Sequence, residues 1–141
     1  MSDKTFVDTN ILICAHDANA GEKQRIAKKL LSVLWSERTG VLSMQVLEEF
    51  YISVTRKSPS PLPKDLARLV VTSYAIWCQE TTPREIAGAF RIEDESQIGF
   101  RNALIVSSAA QCGASRIWSE DMDAGRRIAG VLIENPFAGR I

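Results

Sequence analysis

The sequence predicts an α/β protein: a three-layer α/β/α sandwich around a short, mostly parallel central sheet. Two observations carry that prediction. Apolar runs of strand length alternate along the chain with longer segments of helical period, the pattern of strands joined by helical crossovers. The chain has 141 residues, which suits one domain with a proper hydrophobic core, so residues 1–141 are expected to form a single unit.

In chain order, 5–7 is a short apolar run that reads as a buried strand with Asp8 at its carboxyl end. Thr9 or Asn10 caps a helix running to about residue 17, and 18–21 is a turn. Residues 22–36 are amphipathic. Ile26, Leu30, Val33 and Leu34 share one face, with Lys23, Arg25, Lys28 and Lys29 on the polar side. Gly40 breaks the helix, and 41–42 is a short strand. Ser43 caps a helix over 44–56 whose core stripe is Val46, Leu47, Phe50 and Val54. Glu49 lies nearer the edge of that stripe than Glu48, so Glu49 is the acid placed to face a cleft.

The proline-rich run 57–63 is the strongest break in the chain. Pro63 suits the first helical position of a segment reaching about residue 77, and 78–80 reads as a strand. Thr82-Pro83-Arg84-Glu85 is a capping box that opens a helix to about residue 93. The next helix, 98–111, is apolar nearly all round from Ala103 to Ala110 and is expected to be buried. Gly113 ends it. Residues 116–118 are a strand, Ser119 starts a loop or short helix, and 131–133 is the last strand.

Composition excludes several classes. Lys and Arg together number 17, as do Asp and Glu, so the formal net charge is zero. Bulk charge therefore gives no reason to expect nucleic-acid binding, and any RNA contact must come from local basic patches. A near-neutral surface also offers little colloidal repulsion, which favours an oligomer or a partner. No signal-peptide pattern begins the chain and no apolar stretch is long enough to span a bilayer. A cytoplasmic protein without a membrane is expected. Cys14, Cys78 and Cys112 are odd in number and far apart, which fits reduced core thiols rather than disulfides or a zinc site. His16 is the only histidine and reads as a surface or capping residue, so a Ser-His-Asp hydrolase has little support. Trp35, Trp77 and Trp118 are expected in the core.

The chemistry lies in the acids. In a parallel sheet, ligands bind beyond the carboxyl ends of the strands. Asp8 and Asp121 both follow strands, and a late strand can lie beside the first. Glu49 and Asp123 are further candidates. Such a cluster repels itself, at about 4 kcal/mol for two charges 4 Å apart at an effective dielectric near 20. A divalent cation or partial protonation relieves that repulsion. Mg²⁺ and Mn²⁺ take hard oxygen ligands and can activate water against a phosphodiester without His or Lys.

Four segments carry a resemblance. Asp8-Thr9-Asn10 follows an apolar strand, and 42–51 places Glu49 just before an aromatic. The third is Phe100-Arg101-Asn102-Ala103-Leu104-Ile105-Val106, and the fourth Ser119-Glu120-Asp121-Met122-Asp123. In this order and spacing, over about 5–134, they resemble PIN-domain nucleases, and a stand-alone domain of this size is similar to VapC toxins. The resemblance implies a Mg²⁺- or Mn²⁺-dependent endoribonuclease, an antitoxin partner and a PIN-like fold. It implies Asp8, Glu49, Asn102 and Asp121 as catalytic positions, and Asp8, Asn102, Asp121 and Asp123 as metal positions.

The chain departs from the family at Asn102, where an Asp is usual. Asn keeps one carbonyl oxygen but no charge, so weaker metal binding and attenuated cleavage are expected. An engineered change, a natural variant and a non-catalytic RNA- or partner-binding descendant are all open origins. Thr9, Asn10, Ser119, Arg126 and Arg127 are the candidate substrate contacts, the two arginines through phosphates. Tyr51, Leu62, Leu66, Leu69 and Tyr74 are either core or a surface for a homodimer or the antitoxin. A haloacid-dehalogenase-type phosphatase needs a second acid where Asn10 stands. A pure binding module on the same fold is the rival reading.

Overall fold

The computed structural model describes residues 3–138. Five strands form one sheet in the order β2-β1-β3-β5-β4. They are β1 (Thr5–Val7), β2 (Gly40–Val41), β3 (Arg116–Trp118), β4 (Arg127–Ile128) and β5 (Val131–Glu134). Strands β2, β1, β3 and β5 run parallel, and β4 alone is antiparallel, paired to β5. Six helices flank the sheet: α1 (Thr9–Ala15), α2 (Glu22–Glu37), α3 (Met44–Ile52), α4 (Lys64–Tyr74), α5 (Pro83–Ser96) and α6 (Phe100–Gln111). This is the expected mostly parallel α/β/α arrangement.

The chain leaves β1 toward β2 on one side and later returns to β3 on the other, so β1 is a topological switch point. Its carboxyl end is where such sheets bind ligands. Register pairs Val7 with Trp118, which sets Asp8 and Ser119 side by side just beyond the sheet edge. The strand residues Phe6, Val7, Ile117 and Ile133 are essentially inaccessible, as are Ile11, Leu12, Val46, Phe50, Ile105 and Val106 on the helices. A reacting group at that edge therefore stands on a packed floor.

Several expectations shift by a residue or more. Asp8, not Thr9 or Asn10, caps α1, its side chain accepting from the Thr9 N–H. On α2 the buried face is Ile26, Ala27, Leu31 and Leu34, whereas Val33 is exposed because it lies at the margin of the stripe. Ser43 has the extended backbone of a cap but makes no side-chain capping bond; its hydroxyl is buried and lacks a partner. The helix it opens holds Val46, Leu47, Phe50 and Val54 inside, as the wheel required. It closes in a wider turn, Ser53–Lys57, where the Ser58 N–H reaches the Ser53 carbonyl.

Pro63 stands one place before α4. Residues 78–80 contribute only a single bridge, Leu42 to Cys78. The short strand β4 had no visible apolar run. The Thr82 capping box is present with both reciprocal bonds. Trp77 and Trp118 are buried, but Trp35 is 39% exposed, stacked outside Tyr74 and Trp77. Tyr74 is buried and Tyr51 and Leu62 pack on the core, which leaves Leu66 and Leu69 of that group on the surface. His16 is the C-cap of α1, wedged against Phe50 and Tyr74, with its Nε2 2.9 Å from the Tyr74 hydroxyl. Among the described residues, no helix is long and apolar enough to cross a membrane.

Candidate active site

Asp8 has no solvent exposure. Its backbone N–H bonds the Trp118 carbonyl at 3.0 Å, which ties the end of β1 to the end of β3. Its Oδ1 accepts from the Thr9 N–H at 2.7 Å and its Oδ2 from the Ser119 hydroxyl at 2.8 Å. The Asn10 amide nitrogen spans the gap to the fourth segment, lying 3.2 Å from Asp8 Oδ2 and 3.0 Å from Asp121 Oδ2. Asn10 Oδ1 accepts from the Glu120 N–H at 3.1 Å. Thr9, Asn10 and Ser119 are thus the frame that holds the acids, since an unpaired buried carboxylate costs far more than a paired one.

Glu49 enters from α3, half-buried, while Glu48 faces solvent. The Thr9 hydroxyl donates to Glu49 Oε1 at 2.7 Å and the Gln45 amide to Oε2 at 3.3 Å. Between Asp8 and Glu49 stands a residue that the sequence reading did not select. The Arg101 guanidinium, from the first turn of α6, donates through Nη2 to Asp8 Oδ1 at 2.9 Å and through Nη1 to Asp8 Oδ2 at 3.3 Å. It also donates to Glu49 Oε1 through Nη2 at 2.6 Å and to Oε2 through Nε at 3.3 Å. Nη1 reaches Asn102 Oδ1 at 3.0 Å.

Burial alone raises the Glu49 carboxyl, but the hydrogen bonds from Arg101 and Thr9 outweigh it and leave Glu49 below its usual 4.5. Burial likewise works against the Arg101 charge, and the bonds from Glu49 and Asp8 more than restore it. The signal in the sequence was a cation directly beside the position where an acid was expected.

Thr9, Asn10, Glu49, Lys57, Arg101 and Asp121 line a cleft of about 340 Å³. Asn102, Asp121, Asp123 and Arg126 line a smaller adjoining cavity of about 70 Å³. The structure therefore brings Asp8, Thr9, Asn10, Glu49, Ser119 and Asp121 into one network, with Asn102 joined to it through Arg101. Asp123 is set apart, facing Arg126 at 3.8 Å. Arg126 also donates to the Ser96 carbonyl at 3.0 Å. Arg127 lies exposed on β4 and lines neither space. Lys57, from the turn that ends α3, also lines the cleft, and among the described residues it forms no ion pair. A larger cavity of about 480 Å³ runs along α2 and the ends of β3 and β5, but it contains none of these acids.

A divalent ion does not fit this donor set. Asp8 accepts from Thr9, Asn10, Ser119 and twice from Arg101, more donors than the roughly four lone-pair directions of a carboxylate. The Asn102 oxygen is turned to Arg101. Among the described residues, no three His, Cys, Asp or Glu side chains are grouped to hold a metal.

The wider comparisons agree with this architecture. The chain matches a toxin–antitoxin complex from Klebsiella pneumoniae with a TM-score of 0.69 at 17% identity, covering 94% of this chain and 98% of that one. It matches Mycobacterium tuberculosis VapC20, a Sarcin-Ricin loop cleaving toxin, at 0.64 and 16%, covering 85% and 92%. It matches VapBC2 from Rickettsia felis, bound to a DNA fragment from their promoter, at 0.63 and 20%, covering 93% and 97%. At such identities the likeness is one of fold. No curated protein matches the sequence. The PIN domain matches residues 5–130, nearly the whole chain, and the protein belongs to the PIN domain family.

Proposed function

We propose that this chain is a VapC-like endoribonuclease toxin with an attenuated site, one PIN-like domain over 1–141 held in check by a cognate antitoxin. The observation that carries the reading is that Glu49 and Asp121 line one cleft with Lys57 at the switch point of the sheet, each joined to the buried Asp8 through a shared partner, Arg101 and Asn10 respectively. Family membership supports nuclease chemistry, and the toxin–antitoxin complexes of the same fold support a protein partner. In this reading Asp8, Glu49, Asn102 and Asp121 form the catalytic set. Asp8, Asn102, Asp121 and Asp123 form the set for Mg²⁺ or Mn²⁺. Thr9, Asn10, Ser119, Arg126 and Arg127 serve the RNA.

The metal requirement belongs to a form in which Arg101 has left the carboxylates, because the arrangement described above has no room for the ion. Asn102 supplies one neutral oxygen where a carboxylate would add charge, and that weakens the site further. A homodimer in the cytoplasm completes the proposal, in keeping with a chain of zero net charge. Saturation of Asp8 by Arg101 favours a second reading, a non-catalytic RNA- or partner-binding module.

The test is cleavage of total RNA with Mg²⁺ or Mn²⁺ by the chain and by Asn102→Asp, each with and without Asp8→Ala. Cleavage that requires Asp8 and rises by about tenfold or more in Asn102→Asp supports the toxin reading. Absence of metal-dependent cleavage in both backgrounds and also in Arg101→Gln with Asn102→Asp, with the fold intact, leaves the binding module.

A further inference from the structure

We infer that Arg101 is the resident cation of this site: its guanidinium takes the position between Asp8 and Glu49, so that a divalent metal enters only when Arg101 is withdrawn. The inference deepens the nuclease reading and rests on it for the kind of ion excluded.

Geometry carries it. Arginine has five N–H donors in a fixed plane. Here every donating nitrogen is turned into the site: Nε to Glu49, Nη1 to Asp8 and Asn102, Nη2 to Asp8, Glu49 and Thr9. None is left to meet an incoming phosphate. A fork that engages two carboxylates from different elements is a structural clamp, which a point charge such as lysine does not reproduce. The clamp ties α6 to the end of β1 and to α3, whose acids Asp8 and Glu49 would otherwise repel each other.

Asn102 fits the same account. Its Oδ1 accepts from Arg101 Nη1 at 3.0 Å, a role that needs an oxygen but not a charge. With Asp8 and Glu49 already sharing one guanidinium, a third carboxylate here would restore the anionic excess that draws a divalent ion. The neighbours Arg101 and Asn102 therefore act in one direction. One supplies a built-in cation and the other removes an anion.

The experiment is a titration with Mn²⁺ alone, followed by the electron-spin signal of the free ion, in the absence of RNA. Four proteins are compared: wild type, Asn102→Asp, Arg101→Gln with Asn102→Asp, and that double variant carrying Asp8→Ala. The wild type is expected to show no Mn²⁺ site, and its melting temperature to be equal in Mn²⁺ and in chelator. The double variant is expected to bind Mn²⁺ at least about tenfold more tightly than Asn102→Asp, to lose that binding with Asp8→Ala, and to melt higher in Mn²⁺ than in chelator.

Wild-type binding as tight as that of the double variant overturns the proposal. So does full binding by Asn102→Asp with Arg101 still present, or a folded double variant that gains nothing. Should the double variant not fold, the wild type still decides, because a Mn²⁺-induced rise in its melting temperature overturns the proposal and no rise supports it. Binding is read without RNA, so its failure is distinct from failure of the ribonuclease reading, which cleavage reports.

Discussion

Ser119 shows how much a single side chain can do at the edge of a sheet. Its hydroxyl donates to Asp8 Oδ2 at 2.8 Å and accepts from the Asp121 N–H at 3.2 Å, and the residue is fully buried. One small group thus fixes the carboxylate at the end of β1 and the loop that follows β3. Ser119→Ala removes one of the five donors to Asp8 and leaves the Asp121 N–H without its acceptor. The expected loss is about 1–3 kcal/mol in urea unfolding, the cost of an orphaned buried polar group. A change within a few tenths of a kcal/mol would mean that water replaces the hydroxyl. Asp8 and Ser119 were legible in the sequence because strand ends are visible as the close of an apolar run. Arg101 was marked only by its place beside Asn102, and that place does not tell an arginine that turns inward from one that faces solvent.

At the scale of elements, the α5–α6 pair rests on one close approach. A Cβ added at Gly88 would lie 2.4 Å from the Ser107 hydroxyl and 3.5 Å from its Cβ. Two effects oppose each other in Gly88→Ala. Helix propensity favours Ala by about 1 kcal/mol, whereas overpacking a tight contact costs about 1–3 kcal/mol. The clash is expected to win, so the single variant loses stability. In a Ser107→Ala background the obstructing oxygen is gone and the remaining contact is ordinary. There Gly88→Ala should stabilise the protein by up to about 1 kcal/mol. A double-mutant cycle by chemical denaturation reads this reversal, and equal effects in both backgrounds would count against the contact. The capping box at Thr82 was readable in advance because a cap and its helix lie within four residues. Strand β4 was hidden because two residues of antiparallel pairing leave no period to detect.

For the whole molecule, His16 and Glu49 couple folding to pH on the acid side. Burial lowers His16 from its usual 6.5, where it packs on Phe50 and Tyr74, with a lesser effect from the Lys28 charge. The unfolded chain therefore takes up this proton first, and the stability held by neutral His16 drains as the pH falls below 6.5. Glu49 is also depressed in the folded state. Its contribution is complete above the usual 4.5 and is lost as the pH falls through the lower folded value. Denaturation midpoints measured from about pH 8 to about pH 3 should decline in two steps. His16→Gln is expected to remove the upper step and Glu49→Gln the lower. A wild-type profile that stays flat across both windows, or variants that keep both steps, would contradict the assignment.

The sequence by itself determined the α/β class, most strands and helices, and the acids at the ends of β1 and β3. Each of these is written in a local signal: hydrophobic period, a cap or a break. It also favoured Glu49 over Glu48, because a helical wheel already says which acid borders the core. Only the tertiary structure decided what those acids do for one another. Asp8, Glu49 and Arg101 lie on three elements far apart in the chain, and the direction of a long side chain is set by the charges it finds on folding. The same sequence pattern fits a carboxylate site open to metal and one closed by its own arginine. The reach of Arg101 from α6 to Asp8 at the end of β1 and to Glu49 on α3 chose the second.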